Sequence, residues 1–480
     1  MTASLSPRFT AVNDTHSGLN PTLVGGVERV QSIAGIERAI ATASAAGRAV
    51  AICGARHAMG GQQFGADVIL VDTSGIDRVI AFDVARGLIE VEAGIRWPAV
   101  HTWLVHTQGE RAGAWTFRQK QTGADGLSIG GCLSANIHGR GLDLPPFVSE
   151  VEAFTLIDAS GRMCRCSRAE NRELFGLAIG GYGLFGVIAT VTLRLTPRRK
   201  LRRSVEVREV DDIIDSFDER IAAGFAYGDF QFAVDPASDA FLRRGVFSCY
   251  APVADSTPIP AGQKTLSEDD WRRLVLLAHV DKAAAFDHYA RHYLATSGQV
   301  YLSDAHQMSV YLDDYHREID RALGHRGSEV ITELYVPRPR LADFMAAAAC
   351  DFRANAVEAI YGTVRLIRRE DETFLPWARE DWACVIFNLH VRHDPGGLAH
   401  AAEAFRRLID LAIARGGSYY LTYHRHATRA QLEACYPRFP EFLRWKRVYD
   451  PDERFQSDWY RQNRDATASD RRSPRAAASW

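Results

Sequence analysis

The chain has 480 residues, 46% of them apolar, with 57 Lys+Arg against 59 Asp+Glu. That length predicts two or three domains around a large core, and the balanced charge excludes a polybasic binder of nucleic acid or membranes. Ordinary hydrophobic content excludes global disorder and the collagen-like, coiled-coil and low-complexity classes.

The first 200 residues read as α/β material. A short strand follows Asn20-Pro21. Ser32 then caps a helix with apolar Ile33, Ile36, Ile40 and Ala43, stopped at Gly47. Ala49–Cys53 is an apolar strand, followed by strands at Val68–Val71, Val79–Phe82 and the alternating Leu88–Ala93. A helix is expected near Trp97–His106, strands at Glu150–Ile157 and Arg162–Cys166, a helix at Asn171–Ala178 and a strand at Val187–Leu195. Beyond Arg198-Arg199-Lys200 longer helices appear, such as Asp269–Ala278 and Leu398–Arg415. They alternate with strands at Ser328–Tyr335, Gly362–Arg368 and Ala383–Arg392, which predicts helices on a mixed or antiparallel sheet. Asn463–Trp480 is polar and is expected to be a disordered tail. No stretch is apolar over the roughly 18 residues of a membrane span, and Met1–Asn20 shows no export signal. Eight scattered cysteines without CxxC pairs point to reduced thiols and a cytoplasmic protein.

The 38 glycines crowd into three stretches, 54–65, 113–141 and 176–186. The first, Gly54-Ala55-Arg56-His57-Ala58-Met59-Gly60-Gly61, directly follows a strand, where bare backbone amides can cradle a pyrophosphate. It is neither a Walker loop nor a dinucleotide GxGxxG fingerprint. The second contains Ser128-Ile129-Gly130-Gly131 and Asn136-Ile137-His138-Gly139-Arg140; the third contains Gly180-Gly181-Tyr182-Gly183-Leu184-Phe185-Gly186-Val187-Ile188.

In this order and spacing the three stretches resemble the FAD-binding domain of the vanillyl-alcohol oxidase/p-cresol methylhydroxylase family. The resemblance is nearest to its alditol, gulonolactone and decaprenylphosphoryl-ribose oxidase branches. It covers about 22–200 and returns at Tyr449-Asp450-Pro451-Asp452-Glu453-Arg454-Phe455. It implies an α+β fold, with a p-cresol methylhydroxylase-type FAD-binding domain of two α/β subdomains over 22–200. A substrate or cap domain with a mainly antiparallel sheet flanked by helices would follow over 201–430. Residues 1–21 would lead in, 431–462 would return to the FAD domain, and 463–480 would form the tail. By the same resemblance FAD lies extended, with its pyrophosphate on Gly54, Ala55, Arg56, His57, Ala58 and Met59. Ser128, Gly130, Gly131, Ser134 and Asn136 would line the opposite side, His138 and Gly139 the ring, and Gly183, Gly186 and Ile188 the adenine half. His57 stands where many members tether the flavin covalently, although Arg56 replaces the usual glycine before it and Ala58 the hydroxyl after it. It either carries the flavin or hydrogen-bonds a phosphate. His138 either orients substrate and takes a proton or supports the loop, and Arg140 is its charged neighbour.

On the substrate side, Arg365 matches the Arg of the family's acidic-x-Arg pair, while Thr363 stands where the acid is expected. Asn388 and His390 share one strand face. Tyr420 matches the family's Tyr, and Tyr423 replaces its Lys. The catalytic candidates are therefore His138, Tyr423 and His390; Arg365, Asn388, His390 and Tyr423 are the substrate-binding candidates, with Tyr420 at the cofactor. Histidines 390, 393, 424 and 426 lack carboxylate or Cys partners at ligand spacing, so no metal is expected. Nearby aromatics (Trp377, Trp382, Phe387, Tyr419, Tyr423), with the missing acid and Lys, tilt the substrate towards a less polar, aromatic alcohol. The resemblance implies an FAD-dependent oxidase or dehydrogenase that takes hydride from a CH–OH carbon and passes electrons to O2 or another acceptor. CH–NH oxidation, oxidation of a phenolic side chain, and a catalytically silent flavoprotein subunit stay open as alternatives. The expected partners are a small-molecule substrate and that acceptor, not nucleic acid.

Overall fold

The computed structural model describes residues 9–469 except 311 and 313. Ser32 accepts from the Gly35 amide and starts the helix Ile33–Ala45, which lays Ile36, Ala39, Ile40 and Ala43 on a small core. That core belongs to a parallel three-stranded sheet ordered Gly26–Arg29, Ile69–Asp72, Val50–Cys53. An antiparallel five-stranded sheet follows, ordered Met163–Ser167, Val151–Ile157, Val187–Arg194, Leu88–Glu92, Val79–Asp83. The two sheets meet where Ile157, Val187 and Ala189 pack with Val50, Val71 and Ile40.

From Lys200 onward the strands join a separate eight-stranded sheet in which every strand pair is antiparallel. Its order is Val300–Leu302, Lys200–Glu209, Arg244–Val253, Tyr227–Phe232, Ala359–Ile367, Trp382–Arg392, Gly327–Pro337, Ser418–Tyr419. The helices Leu341–Ala354 and Pro395–Ile413 bury Phe344, Phe352, Phe405 and Leu408 in its core. The side chains of 329, 331, 333 and 335 alternate onto the other face, together with register partners 384–390 and 361–365. That face is turned towards the glycine-rich loops. The expected strands and helices therefore form, and the sheet is antiparallel.

The chain end returns to the first sheet. Phe455 bridges Val50 in parallel, and the Gln456 amide donates to the Val50 carbonyl. The tail expected from 463 is helical through Ser469, within Asp458–Ser469; residues 470–480 lie outside the described residues. No helix among the described residues is long and apolar enough to cross a membrane.

Asp450 holds this return. Its carboxylate accepts from the Arg454 and Phe455 amides, each at 2.7 Å, and from buried Lys446. Lys446 and Asp450 side chains are 0% and 1% exposed, so neither charge has water as an alternative partner. Asp450→Ala should strand the ammonium and two amides, costing about 3–5 kcal/mol, read as a drop in the denaturant midpoint.

Candidate FAD and substrate site

The first glycine loop, the 121–135 stretch, the third glycine loop and the 420–423 segment enclose one cavity of about 230 Å³. Its floor cannot carry side chains. A Cβ at Gly54 would sit 2.2 Å from Ser128 Oγ, and one at Gly130 would sit 2.8 Å from the Ala93 Cβ. Gly183 has φ +74°, a left-handed conformation that only glycine adopts without strain. Ser128 caps the short helix Ile129–Ala135 by accepting from the Gly131 amide.

Arg56 itself has φ +59°, a left-handed conformation that strains a residue carrying a side chain. Here the strain is offset by an ion pair, Arg56 Nη2 lying 2.9 Å from Asp72 Oδ2. His57 lines the cavity against Gly126, whose added Cβ would lie 2.8 Å from His57 Nε2. Burial, then the neighbouring His16 and Arg96, push the His57 imidazole down to about 4, so it is neutral at physiological pH.

The cavity wall carries four buried polar atoms with no hydrogen-bond partner among the described residues: His16 Nε2, Gln62 Oε1, Gln121 Oε1 and Thr122 Oγ1. Unmet buried polar groups around a glycine-floored cleft are what a polar, elongated cofactor would satisfy. The residues present thus fit FAD.

Of the residues expected at the cofactor, Gly54 to Met59, Ser128, Gly130, Gly131, Ser134, Gly183, Gly186, Ile188 and Tyr420 all line this cavity. Asn136, His138 and Gly139 do not. Asn136 has φ +48° and ends the short helix, its Oδ1 accepting from the Val148 amide. That left-handed residue turns the chain inward, so His138 points into the protein rather than at the cavity. A Cβ at Gly139 would meet the Lys120 carbonyl at 2.9 Å, so this glycine serves packing.

His138 is 1% exposed and lies 2.9 Å from Glu333 Oε2, with its Nδ1 2.9 Å from the Gly139 carbonyl. Both ring nitrogens face acceptor oxygens. Glu333, 0% exposed, also accepts from the Tyr335 hydroxyl at 3.0 Å and the Tyr423 hydroxyl at 2.9 Å. Burial alone would raise this carboxyl. The charge and hydrogen bond of His138, then Arg365 and Tyr423, outweigh it and hold Glu333 below the ordinary range. Burial and Glu333 together push the Tyr423 phenol well above its usual value, so Tyr423 stays protonated. Tyr423 lines the cavity and receives Gln121 Nε2 at 3.3 Å.

Glu333 was missed in the sequence because it lies on neither strand of the acidic-x-Arg comparison. Thr363, at the expected acid position, is buried and donates to the Phe230 carbonyl. Two strands away in the sheet, Glu333 is in register with Ile386, which is in register with Thr363. Glu333 is near enough for the Arg365 charge to lower its carboxyl across the sheet. Arg365 is 4% exposed and its Nε and Nη1 lack partners among the described residues. Asn388 lies opposite Ile331 of the cavity wall but does not line the cavity. His390 is not brought to Tyr423 at all; it pairs with Glu329, one strand pleat beyond Ile331. Trp377, Trp382, Phe387 and Tyr419 are core residues outside the cavity; of the aromatics expected on the substrate side, Tyr423 lines it. The wall's aromatic side chains are Tyr182, Tyr420 and Tyr423. Gln121 and Thr422 also line it and carried no sequence signal beyond polarity.

Gly130→Ala should force its new Cβ into Ala93 and misplace the 128–135 segment, costing about 1–3 kcal/mol. The purified variant should melt lower and show a reduced flavin-to-protein absorbance ratio.

Residues 25–167 match the family model described as FAD binding domain. The chain is 22% identical over 411 residues to L-gulono-1,4-lactone dehydrogenase of Mycobacterium tuberculosis, covering 82% of this chain and 86% of that one. It is 23% identical over 433 residues to decaprenylphosphoryl-beta-D-ribose oxidase of Mycolicibacterium smegmatis, covering 87% and 89%. Against L-gulonolactone oxidase of Bos taurus it is 27% identical over 156 residues, covering 32% and 34%. With the glycine-floored cleft in place, these likenesses identify the chain as an FAD-linked oxidoreductase whose residues 25–167 are similar to an FAD binding domain.

Proposed function

We propose that the protein removes hydride from a CH–OH carbon of a small, sugar-like alcohol and passes the electrons to O2 or another acceptor. The observation that carries this reading is Tyr423, whose hydroxyl faces the cavity and donates to a buried carboxylate. Bound FAD accepts the hydride. As hydride leaves, the substrate hydroxyl becomes strongly acidic. Its proton passes to the Tyr423 oxygen while Tyr423 gives its own to Glu333 Oε1, and His138 holds the other carboxylate oxygen. Arg365, expected at the substrate, does not line the cavity; its charge helps to keep Glu333 ionised as the proton acceptor. The polar side chains of Gln121, Thr122, Thr422 and Tyr423 in the cavity wall favour a hydroxylated substrate. The relatives' names, a lactone dehydrogenase and a ribose oxidase, support the same class.

The reading includes a division at 22–200 for the FAD domain, 201–430 for the substrate domain and 431–462 for the returning segment, supported by the separate sheets. It also includes a cytoplasmic location, supported by eight cysteines in no disulfide. His57 is proposed as the covalent tether, because a neutral imidazole in the cavity wall keeps the nitrogen lone pair that a bond to bound flavin would need.

Tyr423→Phe and Glu333→Gln should retain FAD yet slow anaerobic flavin reduction by a panel of sugar alcohols and lactones at least about 100-fold. Unchanged rates in both variants would overturn the relay. Reduction by amines or phenols alone would overturn the substrate class. After acid precipitation the wild-type pellet should stay yellow, whereas His57→Ala should release all flavin to the supernatant; flavin free in the wild type rules out the tether.

A further inference from the structure

One pleat beyond the cavity wall, on the same sheet face, lies a second polar group that the relay above does not use. Glu329 and His390 are register partners on adjacent strands, and His279 reaches them from the helix Glu268–Val280. Glu329 Oε1 is 2.8 Å from His279 Nε2 and 3.1 Å from His390 Nδ1. The three ligand atoms all lie within 4.8 Å of one another. The side chains of His279, Glu329 and His390 are 0%, 2% and 1% exposed. On the open side, His316 Nδ1 lies 3.2 Å from Glu329 Oε2 and is 27% exposed.

The outer contacts hold the rings in place. His279 Nδ1 is 2.8 Å from the Val275 carbonyl, an acceptor only, so Nδ1 carries a proton and Nε2 is the nitrogen turned to Glu329. His390 Nε2 is 3.0 Å from His325 Nε2, and its Nδ1 faces the same carboxylate oxygen. Two imidazole nitrogens thus converge on one carboxylate oxygen, a set of three atoms that a cation could bind together. This arrangement, with the far nitrogen of each ligand histidine held by a carbonyl or a neighbouring ring, is how metal-binding imidazoles are oriented. Tetrahedral ligands about 2.0–2.1 Å from zinc stand roughly 3.3 Å apart. The 2.8 and 3.1 Å separations need only a small outward movement.

We propose that His279, Glu329 and His390 bind one divalent cation of the zinc class, its fourth position open on the His316 side. The carboxylate that spacing along the chain did not provide comes from a neighbouring strand. The ion pins the Glu268–Val280 helix to the strand that, four residues and about 13 Å further on, presents Glu333. It lies outside the Tyr423–Glu333 relay, so its test does not depend on activity.

The full-length, FAD-loaded protein is stripped with chelator, dialysed against Zn2+ or Co2+, and read by elemental analysis and thermal melting. About one zinc per chain, a higher Tm with zinc, and visible ligand-field bands with cobalt are expected. His279→Gln and His390→Gln should lose the metal, and His325→Ala, which removes only the outer hydrogen bond, should weaken zinc binding about 10–100-fold. The wild-type measurement decides even where a variant fails to fold. If the stripped wild type takes up neither ion and its Tm ignores chelator, the cluster is an ion pair of protonated histidines and the proposal is overturned.

Discussion

The carboxylate of Glu333 is the point on which the two halves of the molecule converge. It is fully buried, and an isolated charge there would cost several kcal/mol. Three donors offset that cost, and each comes from a different part of the chain: His138 from the loop after the second glycine stretch, Tyr335 from Glu333's own strand, and Tyr423 from the segment after the edge strand. Hydrogen bonds to a charged group contribute about 1.5–3 kcal/mol each, so losing any one leaves the carboxylate undercompensated. The constraint works in both directions. It anchors the glycine-rich unit to the eight-stranded sheet, and it keeps a proton acceptor charged behind a tyrosine that faces the cavity.

The rest of the site follows from this anchoring. Tyr420 donates to the Ala135 carbonyl at 2.6 Å, and its amide donates to the Glu333 carbonyl at 3.0 Å, so the segment carrying both tyrosines is fixed at two ends. Trp377 Nε1 donates to the Asn136 carbonyl and stacks on Tyr335, which locks the left-handed turn that sends His138 inward. The cavity is then bounded by glycine backbone on one side and phenols and amides on the other. Near-neutral net charge is consistent with such a cleft, because amide dipoles rather than surface lysines meet an anionic cofactor.

Much of the FAD half was legible because its signal is local. A strand followed by side-chain-free backbone reads the same wherever it occurs, and a Cβ at Gly54 or Gly130 meets neighbouring side-chain atoms, as that reading implies. Asn136 and Gly139 show the limit of a local motif. They belong to the same stretch, yet they shape the turn and the packing instead of the cavity wall. On the substrate side Trp377, Trp382, Phe387 and Tyr419 fall in the core while Tyr423 reaches the cavity, since the core and the pocket draw on the same side chains and the sequence does not mark which face they occupy.

The sequence by itself determined the order of strands and helices, the glycine-floored cleft and the family likeness, because periodicity, capping and missing side chains act over a few residues. Only the tertiary structure decided where the acid stands. Thr363 occupies the expected position, but the carboxyl that feels the Arg365 charge is Glu333, two strands away, placed there by antiparallel register. The same register placed His390 against Glu329 and away from the tyrosines. Side chains brought together by strand pairing share no spacing along the chain, so only the folded sheet reveals them.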